Sequence, residues 1–131
     1  MRAVDLRIAA GALAIAGMLG VQSAAAQPTG EQRYNDKCAA CHQKAGQGIP
    51  GAFPALKGNK VALGDEKAVA LLLLTGRRAM PGFKDELSDA ELATVMAYVR
   101  AAWGNKGHAI TPVVFAKART GRPLSPRPQA R

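Results

Sequence analysis

Cys38-Ala39-Ala40-Cys41-His42 is the stretch on which the reading of this chain turns. Two cysteines three positions apart can reach the two vinyl groups of one haem and form thioethers. A histidine directly after them is then carried under the iron and offers its imidazole as an axial ligand. Three other readings compete. A thioredoxin-like pair asks for a preceding strand within a βαβ pattern, and neither is visible. A zinc centre asks for four ligands, and only His108 remains to help. A structural disulfide, the default for cysteines in an oxidising compartment, has no use for His42. Haem attachment through Cys38 and Cys41 is the reading these residues favour.

Upstream, Arg2 and Arg7 precede an almost wholly apolar run from Ile8 to Val21, and Ser23-Ala24-Ala25-Ala26 then supplies small residues. This is the pattern of a secretory signal peptide over residues 1–26, cleaved after about Ala26. The apolar run is shorter than the roughly 20 residues that a retained spanning helix needs. The expected location is the periplasm. The chain has 131 residues, room for one small domain, here expected over residues 27–116.

Net charge is +9 for the whole sequence. It is unevenly spread, because Lys117, Arg119, Arg122, Arg127 and Arg131 occupy residues 117–131 without an acidic residue among them. Pro123, Pro126 and Pro128 interrupt that stretch, which reads as a tail with no packed structure of its own. Export argues against a nucleic-acid partner. An acidic protein surface is the more economical partner for such charge, with peripheral contact to an anionic membrane as a further option.

The elements read as helices. Thr29-Gly30-Glu31-Gln32 fits a capping box and opens a helix from Gly30 to about Ala40. A Gly- and Pro-rich loop follows from Gly46 to Gly58. Asp65 caps a helix over Glu66 to Thr75, stopped by Gly76. Its Leu71-Leu72-Leu73-Leu74 run predicts packing on more than one side. Arg77 to Leu87 reads as loop. Ser88-Asp89-Ala90-Glu91 is a second capping box, opening a helix that ends near Trp103, with Leu92, Val95, Met96, Val99 and Trp103 as its apolar face. Thr111-Pro112 starts a short last helix that fades at Gly121. No segment alternates as a strand, so the fold class is all-α. Aromatic residues make up only 5% of the sequence, and a buried macrocycle would supply the core they do not.

A six-coordinate iron needs a second axial ligand. Met80 is favoured: it lies in the loop Arg78-Ala79-Met80-Pro81-Gly82-Phe83, and Pro81 biases it toward an extended backbone that can project the thioether inward. Met96, on an apolar helix face, reads as core, and His108, in a Gly-containing segment, as an exposed side chain. Both remain competitors. Lys44, Arg77, Arg78 and Lys84 flank the attachment and methionine loops and are candidates for a basic rim.

The sequence resembles the class I cytochromes c. The residues that carry the resemblance are Gly30 and Tyr34 ahead of the Cys-Ala-Ala-Cys-His motif, Pro54-Ala55-Leu56-Lys57-Gly58, Met80-Pro81 and Val95-Met96-Ala97-Tyr98-Val99. It implies a small fold of helices around one covalently attached haem c, and a glycine at the crossing of the first and last long helices. It also implies that the carbonyl of Pro54 accepts a hydrogen bond from the proximal His42. A narrower resemblance, through the run from Leu87-Ser88-Asp89 to Tyr98-Val99-Arg100 and Trp103-Gly104-Asn105, then Ile110-Thr111-Pro112 and Arg119, is to cytochrome subunits and domains that accompany periplasmic dehydrogenases of alcohols, aldehydes and similar substrates. Together they imply an electron carrier rather than an enzyme, receiving electrons from a dehydrogenase and passing them toward a terminal oxidase or another cytochrome. A haem enzyme or a sensor with a displaceable sixth ligand is the alternative. Against it, a di-haem peroxidase would need a second attachment motif, and a signalling domain would not fit in 131 residues.

Replacing Cys38 and Cys41 together by alanine is expected to abolish covalent haem. Haem staining of a denaturing gel reads this directly: stain on the wild-type band and none on the variant. An unstained wild-type band overturns the haem reading.

Overall fold

The computed structural model describes residues 25–121. The signal peptide expected over residues 1–26 therefore lies almost wholly outside the described residues, as does the tail beyond Gly121. Among the described residues five α-helices form in chain order: α1 (Gly30–Lys37), α2 (Ala39–His42), α3 (Glu66–Thr75), α4 (Asp89–Ala101) and α5 (Pro112–Arg119), with a 3₁₀ turn over Ala102–Gly104. Among the described residues no strand forms. Two isolated bridges, Ile49 with Phe53 and Arg77 with Met80, each close a short loop. The fold is the all-α one expected of a class I cytochrome c.

Local chemistry sets the helix starts. Gln32 N–H donates to the Thr29 hydroxyl at 3.2 Å while the Gln32 side chain accepts from Thr29 N–H at 2.8 Å. Ser88 and Glu91 repeat this reciprocal box at α4. The Ser88 backbone and hydroxyl donors, with Arg33 at 2.6 Å, hold the Glu91 carboxyl below its ordinary range. Asp65 accepts from Ala68 N–H at 2.8 Å to cap α3, and Pro112 occupies the first turn of α5, where a missing N–H costs nothing.

Three expectations are corrected. The first helix stops at Lys37 rather than near Ala40, because Cys38 leaves helical geometry (φ −123°) and a separate turn, Ala39–His42, follows. The fourth helix stops at Ala101, and Trp103 adopts a left-handed backbone (φ 56°) instead of extending the apolar face. Its indole folds back onto Tyr34 and Tyr98, with ring centroids 5.1 and 5.6 Å away. Aromatic packing of this kind offsets the backbone cost, which is about 1–3 kcal/mol. Finally, α5 runs through Arg119, past the expected domain end at residue 116. Arg119 donates to Asp89 and to the Leu87 carbonyl, both at 2.6 Å, and to the Lys84 carbonyl. It is an anchor of the packed domain, not part of a tail.

The core lies where α1 and α5 pack on α4 and α3 packs on α5, around Tyr34, Leu73, Leu92, Val99, Ile110 and Phe115. α1 crosses α4 at Gly30, where a Cβ would stand 2.5 Å from the Thr94 carbonyl oxygen and 2.8 Å from Tyr98 Cβ. The backbone oxygen cannot yield, so a side chain there must separate the helices. Gly30→Ala is expected to destabilise the fold by about 1–3 kcal/mol, measured as a lower midpoint in denaturant unfolding; an unchanged midpoint would show that the crossing has slack.

Candidate functional site

Below the α1–α4 crossing the helices do not close on one another. They and their loops line a cavity of about 550 Å³. Cys38, Cys41 and His42 stand on its lining. Phe53, Pro54, Leu56, Asn59, Val61 and Ala62 come from the long loop, Val69, Leu72 and Leu73 from α3, Arg77 to Pro81 from the following loop, and Val95, Met96 and Val99 from α4. Apolar side chains predominate. This accounts for the Leu71–Leu74 run: Leu74 is in the core, Leu73 joins the core and also lines the cavity, Leu72 lines the cavity, and Leu71 is exposed.

The histidine is held from both its backbone and its ring. His42 N–H donates to the Cys38 carbonyl at 2.9 Å, and the His42 carbonyl accepts from Gly48 N–H at 2.9 Å. Its imidazole is buried, and Nδ1 lies 2.8 Å from the Pro54 carbonyl oxygen. A carbonyl can only accept, so Nδ1 carries the proton and the Nε2 lone pair is left for another partner. The buried Tyr34 hydroxyl donates to the Gln43 carbonyl at 2.6 Å, tying α1 to the end of the same turn. Burial, then the neighbouring cysteine and Tyr98, push that phenol up to about 12.

Cys38 and Cys41 are partly buried and not bridged to each other. Burial first, and the neighbouring Cys41 second, push the Cys38 thiol up to about 11. Redox-active dithiols depend on a thiol lowered below its ordinary range; this environment does the opposite, and among the described residues no strand precedes the pair as a thioredoxin-like site would need.

Met80 is partly buried on the opposite loop, against the core. The loop is closed by reciprocal bonds between Arg77 and Met80, at 2.9 and 3.0 Å, with Arg78 in a left-handed conformation between them (φ 53°). Gly76 has a role beyond ending α3. A Cβ on it would meet the Met80 carbonyl oxygen at 2.5 Å and Gly82 N at 2.6 Å, so the loop can close only over a bare glycine with φ 73°.

The cavity thus brings Cys38, Cys41, His42, Pro54 and Met80 together. Met96 lines it too, as a buried α4 side chain, while His108 is exposed and contributes its carbonyl elsewhere. Of the four rim cations, Arg77 and Arg78 are exposed at the cavity lining, whereas Lys44 and Lys84 are exposed away from it. Lys37, not foreseen, joins the lining while its Nζ lies 3.1 Å from Glu86. Sequence reasoning also missed Gly76, Arg100 and Asn105. The last two sit in a run that carried the family resemblance, but nothing in spacing says that their side chains turn inward.

An all-α domain with this motif beside one apolar cavity is a class I cytochrome c. A family model described as "Cytochrome C oxidase, cbb3-type, subunit III" matches residues 25–99, and the chain belongs to that family, as one of its small mono-haem members. It is 36% identical over 110 residues to the cytochrome c subunit of the quinone-type alcohol dehydrogenase of Gluconobacter oxydans, covering 73% of this chain and 23% of that one. It is 38% identical over 97 residues to cytochrome c-552 of Thermus thermophilus, covering 63% and 65%. It is 38% identical over 72 residues to cytochrome c6 of Leptolyngbya boryana, covering 53% and 85%. The chain spans about a quarter of the length of the dehydrogenase subunits it matches.

Gly76→Ala is expected to push the Met80 loop off the end of α3. The variant adds a forced positive-φ extended backbone (φ 73°, ψ 178°), about 1–3 kcal/mol, to overpacking against main-chain atoms. A lower thermal midpoint with faster amide exchange in residues 77–82 is the expected result; exchange unchanged in that loop would sink the account.

Proposed function

We propose that this protein is a periplasmic one-electron carrier that holds one covalent haem c, accepts electrons from a dehydrogenase and delivers them toward a terminal oxidase or another cytochrome. The observation that carries it is the convergence of two cysteines, an oriented histidine and a methionine on one apolar cavity. Cys38 and Cys41 would hold the haem through thioethers, with His42 and Met80 as axial ligands of its iron. The cavity suits a large, flat, apolar group, and the Nε2 lone pair of His42 is free on a ring that Pro54 keeps from rotating. When bound, the haem supplies a metal centre that takes up and releases one electron.

The protein's own residues then do three things. Pro54 fixes the tautomer and orientation of His42 and raises its basicity as a ligand. Met80, a softer donor than histidine, favours the reduced state and so raises the potential. The apolar walls from α3 and α4 exclude water and keep the polarity around the centre low. Carrying an electron in this way needs no displaceable ligand, in contrast to an enzyme or sensor.

The relatives support redox partners in general. For docking, the exposed Arg77 and Arg78 beside the cavity fit an acidic partner surface. Transient redox encounters are small, with charge providing the steering. The apolar run ahead of Ala26 supports export, with cleavage after about Ala26.

Met80→Ala is expected to leave the haem attached while lowering the reduction potential and removing the methionine–iron charge-transfer band. Spectroelectrochemical titration against the wild type checks this. An unchanged potential and band would move the ligand assignment to Met96 or His108.

A further inference from the structure

Arg100 is 97% removed from solvent, with a relative exposure of 3%. Its guanidinium donates to four main-chain carbonyls: His108 at 2.6 Å, Ala62 at 2.9 Å, Gly64 at 3.2 Å and Leu63 at 3.3 Å. Among the described residues it forms no ion pair; the three that occur are Arg33–Glu91, Lys37–Glu86 and Arg119–Asp89. Asp65, the next residue after one of those acceptors, turns its carboxylate to Ala68 N–H instead. Carbonyl dipoles satisfy the donors but leave a whole positive charge inside the fold. Burying such a charge is costly unless an opposite charge compensates it.

The position of this cation gives it a use. Val99, immediately before it on α4, lines the cavity, and so do Val61 and Ala62 on the loop it holds. The charge is therefore bonded to the cavity-lining Ala62 and enclosed in protein, where charge–charge interactions are less screened than in water. Uptake of an electron in the cavity adds one negative charge, and a fixed cation nearby stabilises that state over the oxidised one.

We propose that Arg100 is a potential-setting residue: its buried, uncompensated charge raises the reduction potential of the haem held in the adjacent cavity. This rests on the haem reading above. A simpler role is that of a staple, since Arg100 binds the loop Ala62–Gly64 to the segment after α4. Asn105 staples the same region without any charge. Its side chain donates to the Val99 carbonyl at 2.8 Å and the Leu56 carbonyl at 3.2 Å, and accepts from Gly58 N–H at 2.8 Å.

The test measures reduction potential and thermal midpoint of haem-loaded full-length protein carrying Arg100→Gln, Arg100→Met, Arg100→Lys or Asn105→Ala. Both neutral variants are expected to have a lowered potential. Arg100→Lys keeps the charge and should keep most of the wild-type potential despite losing the fork of hydrogen bonds. Asn105→Ala should lower the midpoint while leaving the potential near that of wild type. If Arg100→Met does not load haem, Arg100→Gln, which retains two donors, reads the charge alone. Arg100→Lys falling as far as Arg100→Gln, or Asn105→Ala falling as far as either neutral variant, would reduce Arg100 to a staple and overturn the proposal. Failure of the haem reading shows itself separately, as a wild-type chain with no covalent haem and no redox wave.

Discussion

An apolar cavity of about 550 Å³ at the centre of a small helical domain is the constraint that organises this structure. A domain of this size has little apolar surface to spare, and interiors ordinarily pack to crystal-like density. Here α3, α4 and both long loops turn side chains toward space rather than toward each other. That arrangement makes physical sense when a ligand completes the core, because a ligand that binds only the folded state adds its binding free energy to stability. A covalent tether at Cys38 and Cys41 would make that contribution permanent, and the proposed His42 and Met80 ligands would span the cavity.

Given the cavity, the surrounding main chain must be brought in without side chains in the way. Gly30 does this at the α1–α4 crossing and Gly76 beneath the methionine loop, each leaving room where a Cβ would lie 2.5 Å from a carbonyl oxygen. Inward-turned polar groups then stitch the irregular segments to the helices. Pro54 is bound by His42, the loop Leu56–Gly64 by Asn105 and Arg100, and the segment Lys84–Leu87 by Arg119. These bonds tie the loops that carry cavity-facing residues to the rest of the domain, and low reorganisation of such surroundings would suit the proposed electron-carrying role.

Arg77 and Arg78 are exposed beside the cavity, and surface charges of this kind act at long range through a field that salt screens over about 8 Å. The buried Arg100 belongs to a different category. Enclosed in protein, it is screened little by salt, and its effect falls on the cavity instead of on partners.

The attachment motif, both capping boxes, the Asp65 and Pro112 helix starts and the exposed His108 were legible in sequence, because each depends on neighbours within about four residues. Spacing along one turn decides whether two cysteines and a histidine can serve one group, and whether Thr29 can cap Gln32. The breaks at Cys38 and Ala101, the folding back of Trp103 and the anchoring of Arg119 on Asp89 and Leu87 were not legible, since each is settled by packing against a distant segment. Trp103 accepts a left-handed backbone for the sake of Tyr34 and Tyr98, sixty-nine and five residues away in sequence. In sequence Arg100 was only one residue of the run that carried the narrower resemblance, and the tertiary structure placed four carbonyls around it. The sequence by itself therefore determined the chemistry this protein can carry and the helices that carry it. Only the tertiary structure decided which charges are buried, because burial depends on what the rest of the chain leaves uncovered.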